Sequence, residues 1–158
     1  MRVSRNQLNI ASMKVNVKKL MSTIKSLLEG FNYDASDTSY KYQGEGDKVD
    51  MVQFLVVGSK NVDAYTKFVI SVEATVENAK RLIEKDKTFV KGRGKIIFKS
   101  ELILDYDEKW SKDPVLHFFK GIYEKYVYKD TRKDYETKIS SEMFEVRDEV
   151  KKLAEVRK

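Results

Sequence analysis

Between residues 95 and 106 the chain alternates. Ile96, Phe98, Leu102, Leu104 and Tyr106 are apolar, Lys95, Lys99, Glu101 and Asp105 are charged, and Ser100 alone interrupts the apolar series. A period of two predicts a strand with one buried face. After a polar corner at 107–112 comes Asp113-Pro114, a capping residue followed by proline at the first helical position. Val115, Phe118, Phe119, Ile122, Tyr123 and Tyr126 then recur every three or four residues. They predict an aromatic-faced helix that packs on the strand's sheet.

The same reading extends along the chain. Leu8, Ile10 and Met13 mark a short first strand. Asn16 caps a helix with the stripe Val17, Leu20, Met21, Ile24, Leu27 and Leu28, and Gly30 is expected to end it in the left-handed conformation. Residues 32–38 read as a polar linker. Tyr40 and Tyr42 then share one strand face, and Gly44, Glu45, Gly46 and Asp47 form a hairpin turn. The dense run Phe54, Leu55, Val56, Val57 predicts a return strand buried on both faces, and residues 58–61 turn again. Phe68, Ile70, Val72, Ala74 and Val76 define another half-buried strand. Residues 77–91 fit either a helical turn or strands; strands are preferred because they keep neighbouring antiparallel elements adjacent. A last helix from Asp130 carries the stripe Tyr135, Ile139, Met143, Val146, Val150 and Leu153.

The fold class expected is α+β: an antiparallel sheet of five to seven strands, an N-terminal helix, and one or two C-terminal helices on one side. At 158 residues one domain spanning 1–158 accounts for the chain. The element order resembles the helix-grip architecture of START and Bet v 1-like proteins, in which a curved sheet wraps a long C-terminal helix. Separately, the run 102–106 with Trp110, Pro114, Phe118, Tyr123 and Tyr126 resembles a stretch of small uncharacterised archaeal proteins. That second resemblance implies an archaeal source and no function.

Composition narrows the chemistry. There is no cysteine, so disulfide and thiolate chemistry are excluded and a cytoplasmic location is expected. The 35% of charged residues has the character of a thermophile surface. No apolar run approaches a membrane span, so no membrane partner is expected. The net charge of +6 is unevenly distributed: residues 1–33 carry six basic groups against one acidic, and 80–99 carry eight against two. Two cationic blocks predict attraction to phosphate or acidic partners.

No catalytic constellation emerges. His117, the only histidine, falls on the polar side of its helix without a nucleophile motif. Asp105, Asp107 and Glu108 form a carboxylate corner that lacks a third ligand with metal-site spacing, so no metal or cofactor is expected. In Lys91-Gly92-Arg93-Gly94-Lys95, two glycines among three cations suit an anion-binding nest, although a plain hairpin turn with basic flanks is the commoner explanation of such a run. The leading expectation is a non-enzymatic binding module contacting RNA or an acidic nucleoprotein through Lys80, Arg81, Lys85, Lys87, Lys91, Arg93 and Lys95. Tyr40, Tyr42, Tyr106, Trp110, Tyr123, Tyr126 and Tyr128 could offer stacking surfaces for bases, but tyrosines on strand and helix faces are more often core and rim residues, which is the preferred reading. One alternative is a helix-grip protein holding a small apolar ligand against Phe98, Leu102, Phe118, Phe119 and Ile122. Another is an assembly role in which the 135–153 stripe pairs with a second chain.

Overall fold

The computed structural model describes residues 2–104 and 113–155. Its elements are β1 (Arg2–Val15), α1 (Val17–Gly30), β2 (Asp34–Glu45), β3 (Lys48–Asn61), β4 (Thr66–Glu84), β5 (Lys87–Leu104), α2 (Pro114–Ile122) and α3 (Lys129–Glu155). One turn of π-helix, Tyr123–Val127, joins α2 to α3. The strands form one antiparallel sheet in the order β1-β5-β4-β3-β2, so the first strand closes against the last. This is the α+β class expected. α1 lies over β2 and β3, α3 lies over β1, β5 and β4, and the two helices touch. No helix among the described residues is long and apolar enough to cross a membrane.

Alternation sets the two faces of the sheet. Val52, Phe54 and Val56 of β3, Phe68, Ile70 and Val72 of β4, and Ile96, Phe98 and Leu102 of β5 point under the helices and are almost completely buried. Ser100, the polar member of that series, is buried too, and its hydroxyl meets that of Ser4 on β1, which Ser140 of α3 also reaches at 3.3 Å. A buried hydroxyl so partnered carries no desolvation penalty of the kind an orphan would. The expectation that 54–57 is buried on both faces is corrected: Leu55 and Val57 face outward and are only half-buried.

Several boundaries also move. β1 is long, because a bulge between Ile10 and Met13 resets its alternation and turns both residues inward. The left-handed position after α1 belongs to Asn32 (φ 70°), not Gly30. The Asn32 amide donates to the Glu29 carbonyl at 2.9 Å and that of Tyr33 to Leu28 at 3.0 Å, which closes a Schellman cap. The supposed linker at 32–38 enters β2 at Asp34; it reads as polar because β2 is an edge strand with mostly exposed side chains. β3 continues through 58–61, and the turn comes later, where Asp63 accepts from the amides of Tyr65 (2.7 Å) and Thr66 (2.6 Å). Residues 77–91 are strand, as preferred, but the hairpin reverses at Lys85 and Asp86, both at positive φ.

Two larger corrections concern the helices. The aromatic-faced α2 does not pack on the sheet: its cap forms as expected, Asp113 accepting from the Val115 amide at 2.9 Å, yet none of its residues is buried. The stripe of α3 is the one that covers β1 and β5. Ile139, Met143, Val146 and Val150 are fully buried in the chain's own core, which removes them from pairing with a second chain.

Candidate functional site

Gly92 and Gly94 lie inside β5 rather than at a turn. A Cβ at Gly92 would stand 2.6 Å from the Glu77 carbonyl oxygen and 2.7 Å from the Ala79 Cβ, where β4 bulges through Asn78 at φ 50°. A Cβ at Gly94 would meet the Met13 side chain at 2.8 Å. Both glycines therefore admit close neighbours across the sheet. They build no anion nest, and the cations between them are displayed by the pleat instead. Val90, Gly94, Ile96 and Phe98 point to the core, so Lys91, Arg93, Lys95 and Lys99 all leave from the outer face of β5.

Strand register then assembles what the sequence scatters. Lys91 is paired with Lys14 of β1 on one flank and with Lys80 of β4 on the other, and Lys80 is paired with Lys48 of β3. Their neighbours Val15, Val90, Ala79 and Val49 are buried, so the lysines share the outer face. Four lysines thus run across four adjacent strands, about 14 Å at ordinary strand spacing. Glu45 of β2 ends the row next to Lys48. Three of the lysines are exposed, whereas Lys14 is half-buried, its Nζ 2.7 Å from Glu84 and 5.2 Å from the centre of the Phe89 ring. Among the described residues no carboxylate pairs with Lys80 or Lys91. A groove of about 620 Å³ borders the row, in which the Asp47 carboxylate and Asn78 stand beside Lys48, Lys80 and Arg81 over an apolar part made by Val49, Ala79 and Leu82.

The other expected cations are placed as follows. Lys85 and Lys87 sit at the exposed tip of the β4–β5 hairpin. Arg93 makes an exposed ion pair with Glu77 at 3.3 Å, so its charge is partly answered within the chain. Lys95 lies across from Asn9 and Thr75. Arg81 points to the opposite face, its guanidinium bonded to the Tyr42 hydroxyl. Lys14 and Lys48 were not among the expected residues. Lys14 belongs to the N-terminal cationic block and Lys48 to no basic block, and only the register of β1 on β5 and of β3 on β4 joins them to the row.

The proposed apolar lining is divided. Phe98 and Leu102 are fully buried core residues, whereas Phe118, Phe119 and Ile122 stand exposed on α2. His117 is exposed on the same helix. The carboxylate corner at Asp107 and Glu108, with Asp105, Tyr106 and Trp110, lies outside the described residues. Among the described residues no three acidic or imidazole side chains gather as a metal site would require.

At the opposite end of the sheet, the β3–β4 turn docks α3 through a tyrosine cluster. Tyr135 donates to Asp63 at 2.8 Å, the Tyr128 hydroxyl meets Thr66, and the Tyr65 ring stacks edge-on against Tyr123 and Tyr128, each 5.4 Å away. Burial alone would raise the Asp63 carboxyl, but the hydrogen bonds from Tyr135, Tyr65 and Thr66 outweigh it and hold the group below its usual range. Burial pushes the phenols of Tyr128 and Tyr135 up to about 12, the latter helped by its bond to Asp63. These groups fasten the helix: Tyr65, Thr66 and Tyr128 are buried, and Asp63 and Tyr135 are half-buried.

No protein-family model, curated protein or solved structure matches this chain.

Proposed function

We propose that the chain is a non-enzymatic binding module that holds the phosphate backbone of RNA, bare or within a nucleoprotein, on the outer face of its sheet. The observation that supports this is the row Lys48, Lys80, Lys91, Lys14. Like charges directly opposite one another destabilise a sheet by a few tenths to about 1 kcal/mol per pair. Glu84 offsets that at Lys14, but nothing among the described residues offsets it at Lys80 and Lys91. A polyanion laid along the row supplies the missing counter-charge.

Lysine ammonium groups on flexible stems act as point charges rather than planar forks. They suit a mobile single-stranded backbone and carry no base code, so the binding is sequence-tolerant. Lys85 and Lys87 extend the field at the hairpin tip, Lys95 extends it along β5, and Phe89 brings an aromatic ring to the row. The alternative, an apolar ligand between sheet and C-terminal helix, is less favoured, because among the described residues Ile139, Met143, Val146 and Val150 of α3 are buried against the sheet.

The test is fluorescence anisotropy with a labelled oligouridylate, using the wild-type chain and the double variant Lys80→Glu, Lys91→Glu. Binding by the wild type and at least a tenfold loss in the variant are expected. Equal affinity for both proteins removes the reading. Binding of polyglutamate in place of RNA would reassign the row to an acidic protein.

A further inference from the structure

We infer that α2 is a self-association surface and that two copies of this chain join through it. Val115, Leu116, Phe118, Phe119 and Ile122 are each at least 40% exposed on this helix, and Tyr126 in the following π turn is 70% exposed. They occupy one side of the helix. With about 150–250 Å² of surface per aromatic side chain, the patch offers on the order of 600 Å² of apolar area. That reaches the upper limit usual for a monomer's largest apolar patch. Doubled, it meets the roughly 1,200 Å² at which stable protein–protein interfaces begin.

Charge selects the occupant. Between residues 113 and 130 the chain has three basic groups (Lys120, Lys125, Lys129) and three acidic ones (Asp113, Glu124, Asp130). The stretch 113–130 is therefore neutral, and α2 itself carries only Lys120, in a protein of net charge +6. It presents no cationic patch to an anionic lipid surface, and it is a region where two such cations meet with little local repulsion. The aromatic, charge-poor centre formed by Phe118 and Phe119, whose rings lie edge to face at 5.9 Å, has the composition of an interface core. The position fits as well. Tyr123, directly after α2, packs on Tyr65 at the β3–β4 turn, where Thr66 pairs with Leu104, about 40 Å of extended strand from Lys91. A pair joined there leaves both lysine rows open, although the inference does not depend on what the rows bind.

Sedimentation velocity of the full chain over a wide concentration range tests this. The wild type is expected to move from monomer to dimer, and Phe118→Asp with Phe119→Asp to weaken the dimer by about a hundredfold or more. Both side chains are over half exposed in the protomer, so the variant is expected to unfold at the wild-type midpoint. The absence of cysteine gives a second measurement that stands if that variant fails to fold. Ile122→Cys is expected to form an intermolecular disulfide under mild oxidation, while the exposed α3 control Thr137→Cys is not. A wild-type chain that stays monomeric throughout overturns the inference. So does a dimer insensitive to the aspartates, equal cross-linking of both cysteine variants, or a monomer that floats with anionic vesicles through α2.

Discussion

Lys80 of β4 stands directly opposite Lys91 of β5, and each has a further lysine on its other flank, Lys48 for the one and Lys14 for the other. The sheet tolerates this repulsion at its open face, so relieving it should help the fold and harm the binding. Lys80→Gln is expected to raise unfolding stability in urea by about 0.2–1 kcal/mol. The same variant should weaken oligouridylate binding. A variant that is both less stable and unchanged in binding would mean that Lys80 serves the fold alone.

The glycines of β5 separate two kinds of close contact. At Gly92 an added methyl meets backbone and a short side chain, neither of which can retreat, and Gly92→Ala is expected to cost about 1–3 kcal/mol. At Gly94 the methyl meets the flexible end of Met13 as well as its Cβ. Gly94→Ala should therefore cost less, part of it regained from the reduced freedom of the unfolded chain. Thermal unfolding of the two variants side by side measures the order, and the reverse order would contradict this packing.

How much of this was legible beforehand depends on range. The alternation from Ile96 to Leu104, the Asn16 and Asp113 caps and the α3 stripe are local patterns, and each forms where the chain writes it. The aromatic face of α2 is just as periodic, yet it stays exposed, because periodicity says that a face is apolar and not what covers it. Asn32 took the left-handed position from Gly30 because asparagine tolerates that conformation too. The lysine row was half legible. Lys80 and Lys91 belong to one basic block, but Lys14 and Lys48 join them only through pairings across long stretches of sequence.

Asp63 makes stability pH-dependent in acid. Its carboxyl is held below the ordinary value, so its contribution is complete above that value, near pH 4, and is lost as pH falls through the folded pKa. The phenols of Tyr128 and Tyr135 act at the other end. Raised to about 12, they keep their protons while the unfolded chain gives its up, so stability should fall as pH rises from about 10 to 12. Asp63→Ala strands the Tyr135 hydroxyl and two amides, and a loss of about 1–3 kcal/mol is expected with a flatter acid limb. Denaturation midpoints across pH check both.

Lys60 at the end of β3 reaches the Phe31 carbonyl at 2.9 Å and both Glu142 oxygens at 3.0 Å, over the Tyr33 ring at 4.5 Å. The pair is largely buried, so removing one partner strands the other. Glu142→Leu alone is expected to cost about 3–5 kcal/mol, and adding Lys60→Met should recover most of it. A double variant no better than the single would show that the Lys60 bond to Phe31, rather than the ion pair, carries the contact.

The most direct measurement of the central claim is the salt dependence of oligouridylate affinity. With Lys14 answered by Glu84, three phosphates neutralised by Lys48, Lys80 and Lys91 on a single strand give a slope of log K against log salt of about −2. Removing Lys80 and Lys91 by substitution with glutamine should cut it to about −0.7. A flat dependence, or a steep one that the two substitutions leave unchanged, would contradict the role given to this row.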